Sequence, residues 1–163
     1  MQTNIHFQII GMKTLTVTFH HTTNYGAVLQ TYALQQTIMS LGHENLILET
    51  KTKQKKKKAK LSIRELYLRY QSWLRRKERK VLVKYFADFH KYRLQLTRPY
   101  ASMEDLRNDP PDVDCLITGS DQVWNFATTP RFIDSRLLLF GKESAIRFSY
   151  AASMEELRYS DDQ

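Results

Sequence analysis

A chain of 163 residues, 42% of them hydrophobic, is long enough to bury one real core, and no apolar run approaches the roughly 20 residues of a membrane-spanning helix. The single cysteine, Cys115, excludes an internal disulfide, and the N-terminus lacks the cationic start, apolar core and small-residue cleavage site of a signal peptide, so the expected compartment is the cytoplasm. Net charge is +8 but uneven: residues 51–93 carry 17 Lys and Arg against Glu65, Glu78 and Asp88, a local balance of +14 that leaves −6 for the rest.

In chain order, residues 1–11 read as an N-terminal extension ahead of Met12-Lys13, with an edge strand through Ile5, Phe7, Ile9 and Ile10 as the alternative. The β-branched run Thr14–Phe19 predicts a strand, followed by the polar loop His20–Gly26. Ala27, Thr31, Leu34, Ile38 and Leu41 step by four, three, four and three, which predicts a helix over 27–41 with one buried face and with Gln30, Gln35, Gln36 and Ser40 mostly off it. Asn24 or Thr23 can cap its start, and Gly42 suits the left-handed position past its end. Asn45–Glu49 predicts a second strand. Strand, loop, helix and strand form the βαβ unit of a parallel α/β sheet, whose ligands bind at the C-terminal edge.

The lysine run over 51–60 repels itself and stays solvated. Ser62-Ile63-Arg64-Glu65 reads as a capping box. One helical face then carries Ile63, Leu66, Tyr67, Tyr70, Trp73 and Leu74 and resumes at Val81, Leu82, Tyr85, Phe86 and Phe89. This predicts one long helix, or two broken near Arg76–Lys80 where the stripe lapses. The chain leaves the helix by Pro99. Ser102–Asp105 caps a short helix that Asp109-Pro110-Pro111 ends. Val113–Thr118 predicts a buried strand with Cys115 in the core, and the polar loop Gly119–Asn125 follows it. Ala145–Ala152 predicts another strand, and Ser153-Met154-Glu155-Glu156 a capped helix start. The expected organisation is an extension at 1–11, a Rossmann-like domain over 12–153 with a basic helical insertion at 51–97, and a further helix opening at 154–163. A strand leading into a capped helix raises the expectation that the chain is the front part of a larger protein, with a small complete domain as the alternative.

Two loops, each behind a predicted strand, carry a resemblance. Phe19-His20, Asn24-Tyr25-Gly26-Ala27-Val28-Leu29-Gln30, Tyr32-Ala33-Leu34-Gln35 and Leu41-Gly42-His43-Glu44 resemble the N-terminus of the polysaccharide pyruvyl transferase family. Gly119-Ser120-Asp121-Gln122-Val123-Trp124-Asn125 and Phe148-Ser149-Tyr150-Ala151-Ala152-Ser153 continue the resemblance in the same order and spacing. It implies the N-terminal half of a GT-B-like architecture, in which two Rossmann-type domains face across a cleft. The implied reaction moves pyruvate from phosphoenolpyruvate onto sugar hydroxyls as a ketal, in exopolysaccharide or cell-surface glycan biosynthesis. The family's donor-gripping Arg and His residues lie mainly in a second, C-terminal domain, so the chain alone is expected to be inactive.

Each candidate site residue has a structural and a functional reading. Gly26 either lets an anion approach the free N–H groups of the helix or only makes the turn. Asn24 orients a sugar hydroxyl or caps the helix. Tyr25 is expected to stack on a sugar ring, and His20 or His21 to serve in acid–base work. Asp121 is the expected hydroxyl contact or general base, against an Asp that caps a turn. Gly119 precedes it. Ser120, Gln122 and Asn125 are hydrogen-bonding loop residues for substrate, and Trp124 either packs the loop or stacks on substrate. No His, Cys, Asp or Glu set shows metal-ligand spacing, and no glycine-rich dinucleotide fingerprint occurs, so no metal and no cofactor beside the donor phosphoenolpyruvate are expected. The expected partner is a saccharide or lipid-linked glycan acceptor. The basic stretch Lys51–Lys80 adds an anionic membrane surface, which would place the protein peripherally at the inner membrane face. The alternative is a non-catalytic basic module binding membrane, glycan or, least in keeping with the pattern, nucleic acid.

Overall fold

The computed structural model describes residues 11–51, 67, 70, 76–125 and 132–154. The extension at 1–10, most of the lysine run, the capping box at Ser62 and the helix after Met154 lie outside the described residues. The elements are β1 (Lys13–Val17), α1 (Tyr25–Ser40), β2 (Glu44–Ile47), α2 (Arg76–Arg93), α3 (Met103–Asn108), β3 (Cys115–Asp121), α4 (Ile133–Arg136) and β4 (Ile146–Ala152). The four strands form one parallel sheet in the order β2-β1-β3-β4, with helices against it, as the βαβ pattern predicts.

The start and end of α1 follow from local chemistry. Asn24 sits in extended backbone, and its Oδ1 accepts from the N–H groups of Gly26 (2.8 Å) and Ala27 (3.5 Å). Gly42 takes φ +87° just past the other end, the region that a side chain disfavours. The buried face differs from the predicted one by a rotation. Gln35 is fully buried while Leu41 is 62% exposed. The reason is a polar seam: the Gln35 side chain donates to the carbonyls of Asn45 (3.3 Å) and Gln95 (3.4 Å) and accepts from the Gln95 N–H (3.2 Å). A glutamine whose amide is matched on both sides can sit in the interior at little penalty.

Each face of the sheet has its own layer. Leu15 and Val17 of β1 join Leu46, Leu48 and Leu116 on one face, under Leu106 of α3 and Leu138 and Phe140 after α4. The other face carries Thr14, Thr16, Cys115 and Ile117 beneath α1, where Ile38 and Leu34 make the apolar contact. Asn45 ties this polar face together, donating to Thr14 Oγ1 (2.7 Å) and Thr16 Oγ1 (2.9 Å).

One boundary departs from the sequence reading. β3 runs on to Asp121, so Gly119, Ser120 and Asp121 belong to the strand, because β4 extends far enough to pair Gly119 with Tyr150 and Asp121 with Ala152. Gly119 has φ +119°, and a Cβ there would overlap the carbonyl oxygen of Tyr150, so the close pairing requires glycine. α2 is unbroken from Arg76, since Arg, Lys and Glu sustain a helix where the apolar stripe lapses. Its predicted apolar face is only partly used: Phe86 is buried, while Val81 and Tyr85 are 55% and 70% exposed. α2 meets α1 along a narrow ridge, with Tyr25 against Phe86 and Tyr32 against Phe89 at 4.9 and 5.4 Å between ring centroids. Past Arg93 the chain lies along the far edge of β2. There Ile47 N–H donates to Gln95 O, Thr97 N–H to Ile47 O and Tyr100 N–H to Glu49 O, at 2.8, 3.0 and 3.0 Å. No described helix is long and apolar enough to cross a membrane.

Candidate functional site

The chain leaves β1 toward β2 on one side and returns to β3 on the other, so the strand order reverses between β1 and β3. In a parallel sheet this reversal opens a crevice beyond the C-terminal strand ends. The segments behind Val17 and Thr118 flank it, and they are joined. Thr18 Oγ1 donates to the Ser120 carbonyl (2.9 Å) and accepts from Gln30 Nε2 (3.1 Å), and the Ser120 hydroxyl donates to Gln30 Oε1. Gln30 of α1 therefore bridges the two segments. Thr18 and Gln30 carried no role in the sequence reading.

On the β3 side, Asp121 has φ +94°, a left-handed conformation rare outside glycine, aspartate and asparagine. Its Oδ1 accepts from the Gln122 N–H (2.7 Å), and its carbonyl accepts from Val123 (2.8 Å) and Ser153 (3.0 Å). The turn-capping role is thus realised, with Oδ1 engaged at the rim. Val123, fully buried, anchors the loop, and Trp124 is half-buried with an indole N–H that finds no acceptor among the described residues. Asn125 is buried and Gln122 is exposed. Behind this loop lies Arg136, 8% exposed, with its guanidinium carbon 3.8 Å from the centre of the Phe19 ring and Nη1 donating to the Val123 carbonyl at 3.3 Å. Burial pulls its pKa down to about 10, against the opposing pull of Asp121. Sequence reasoning passed over Arg136.

On the β1 side, Asn24 spends its side-chain oxygen on the helix cap, so the Gly26 and Ala27 N–H groups point at Asn24. Gly26 has no left-handed φ and is exposed at the first turn. Tyr25 is 62% exposed and leans on Phe86. With Val28, Leu29, Tyr85 and Phe89 these two line an apolar hollow of about 220 Å³.

His20 is 2% exposed, with Nε2 2.9 Å from Glu49 Oε2 and Nδ1 3.4 Å from the Thr18 carbonyl. His21 is 38% exposed, and its Nε2 lies 2.6 Å from Glu49 Oε1. Burial would raise the Glu49 pKa, but the hydrogen bonds and charge of the two histidines outweigh it and hold the carboxyl at about 2. His90 of α2 stands beside them, its ring centroid 6.0 Å from His20 and 6.2 Å from His21. Burial lowers the His90 pKa, and the two neighbouring histidines lower it further. Glu49 and His90 were missed at the sequence level, although one signal was present. Parallel β1 and β2 end side by side, so a histidine pair ending one and a glutamate ending the next must meet.

The fold thus brings His20, His21, Asn24, Tyr25 and Gly26 to the same rim as Gly119, Ser120 and Asp121, with Gln122, Trp124 and Asn125 directly behind. The model of the family described as Polysaccharide pyruvyl transferase matches residues 24–161. Searches of curated proteins and of solved structures return no match. The matched stretch includes α1, β2, β3 and β4, the whole segment behind Thr118 and, of the segment behind Val17, Asn24–Gly26, and the chain belongs to the polysaccharide pyruvyl transferase family.

Proposed function

We propose that residues 12–153 form the N-terminal domain of an enzyme that transfers pyruvate from phosphoenolpyruvate to a sugar diol in the biosynthesis of an exopolysaccharide or other cell-surface glycan. The observation that carries this reading is the joined pair of rim segments at the strand-order reversal, within a chain of this family. In the reaction, a proton adds to the methylene carbon of the donor, and one sugar hydroxyl bonds to C2. A second hydroxyl bonds to C2 as the C2–O bond to phosphate breaks. The two hydroxyl protons balance the one gained by the methyl group and the one carried off by phosphate. Asp121 at the rim receives a hydroxyl proton through its second carboxylate oxygen, Oδ2. Tyr25 offers its exposed ring to the acceptor sugar, and Ser120, Gln122 and Asn125 offer hydrogen bonds. Arg136 contributes positive potential behind the β3 loop. His20, buried and turned onto Glu49, is a positioning residue in this scheme.

A second Rossmann-type domain facing the crevice completes the site in the GT-B-like arrangement and supplies the remaining cations for the donor. The chain alone therefore releases no phosphate from phosphoenolpyruvate. With that domain supplied, phosphate release depends on a diol acceptor, and Asp121→Asn lowers kcat at least about 100-fold. Absence of acceptor-dependent phosphate release with the domain present, across a panel of glycan diols, would reject the reaction.

A second reading concerns location. α2 shows Val81, Tyr85 and Tyr92 to solvent, flanked by the exposed Lys80, Lys84 and Lys91. Aromatic and basic residues on one exposed helical surface suit an anionic membrane face, and this reading has the protein working peripherally on the cytoplasmic side, close to a lipid-linked acceptor. Flotation with anionic but not neutral vesicles tests this.

A further inference from the structure

The strongest unassigned feature is the meeting of two imidazoles and a carboxylate behind β1 and β2. We propose that His20, His21 and Glu49 bind one divalent transition-metal ion of the zinc class. One ligand atom from each lies within 4.8 Å of the others, close enough for a single ion to reach all three after small side-chain adjustments. The donor set decides the kind of ion. Two imidazole nitrogens with one carboxylate suit zinc and its neighbours, whereas magnesium and calcium take oxygen.

The hydrogen bonding of His20 is a second, independent argument. Both of its ring nitrogens face acceptors, Nδ1 toward the Thr18 carbonyl and Nε2 toward Glu49, and the ring is shut away from solvent. A neutral imidazole has one N–H and serves only one of them, whereas an imidazolium serves both. A metal ion between Nε2 and the carboxylate takes the place of the Nε2 proton. Nδ1–H then points at the backbone carbonyl and Nε2 offers its lone pair to the metal, the arrangement typical of metal-bound histidine. A third observation is His90, whose Nε2 is buried without a hydrogen-bond partner among the described residues, with its ring beside both others. His21, more than one-third exposed, marks the open side, where water or an anionic oxygen can complete the coordination.

The test uses the full chain, stripped with a chelator and titrated with Zn(II) against a chromophoric competitor. The expected result is one ion per chain with Kd below about 10 μM. His21→Ala, at an exposed position, and Glu49→Gln, close to isosteric, each weaken binding at least about 10-fold, with circular dichroism unchanged. His43→Asn serves as control, since His43 sits at the opposite strand ends and accepts from the Met12 N–H. Co(II) gives the visible absorption of a nitrogen–oxygen site, and that absorption is lost in His21→Ala. Binding weaker than the stated Kd, or binding that survives both ligand variants or is lost in the His43 control, overturns the proposal. The readout is binding and does not depend on the transferase reaction.

Discussion

At the β2 end of the sheet both faces and the outer edge are covered, whereas at the β4 end the strand is exposed from Ile146 to Ala151. β2 lies between α1 and the large apolar core, and the segment 94–100 hydrogen-bonds along its far side. β4 has the same kind of composition, yet Ile146, Phe148 and Tyr150 are 56%, 47% and 54% exposed. The register puts these three level with Cys115, Ile117 and Gly119, on the α1 side of the sheet. Toward β4, α1 makes its apolar contacts at Cys115 and Ile117, through Ile38 and Leu34. On the opposite face Arg147 donates to the carbonyls of Leu138, Phe140, Lys142, Glu143 and Ala145, which pins the chain after α4 against the strand. The lesson is that an apolar strand becomes core only where a second layer is laid over it.

Three perturbations break or sharpen this contrast. The largest effect is expected at the closed end. Gln35→Ala leaves the Gln95 N–H without its acceptor inside the protein and lowers stability by roughly 1–3 kcal/mol, measured by urea unfolding. Gln36→Ala, one residue on and exposed, serves as its control.

An intermediate effect is expected at α3, which caps the segment along β2. The Asp105 carboxyl is held below its ordinary value of 3.8, first by the hydrogen bond from Arg98 and then by the Ala101 N–H. A folded-state pKa below the unfolded one means that the stabilisation is present above 3.8 and is lost as pH falls through the depressed value. Asp105→Asn is therefore expected to flatten the acid limb of the stability–pH curve below about pH 4, read by thermal melts across that range.

The smallest effect belongs to the open end. Phe148→Ser changes stability by less than about 0.5 kcal/mol while reducing the binding of a hydrophobic dye. A loss as large as that of Gln35→Ala would mean that the Phe148 face is covered in solution, and the contrast between the two ends would fail.

Much of the architecture was legible from residue pattern. The helix over α1, its Asn24 cap, its Gly42 stop and the parallel βαβ unit all rest on interactions between residues a few positions apart. The short helix α3 and its Ser102 cap belong with them, the hydroxyl accepting from the Asp105 N–H at 3.1 Å. The candidate site was legible only in halves. The two rim segments could be picked out, each behind a strand, but Gln30 as their bridge could not, because its partners lie 12 and 90 positions away. The helix period places Gln35 at the edge of the apolar stripe, and only its acceptors and donor on β2 and segment 94–100 make that place interior.

From its sequence alone this chain determined its strand–helix order, its caps and stops and the family motifs, because periodicity, backbone φ and capping act over a few residues. Tertiary structure decided that His20 and His21 meet Glu49 and His90, that Arg136 lies under Phe19, and that the apolar face of β4 stays open. Each of these depends on which strand lies beside which and on what is laid over it. Such neighbours are set by the sheet order β2-β1-β3-β4, which no short window of residues contains.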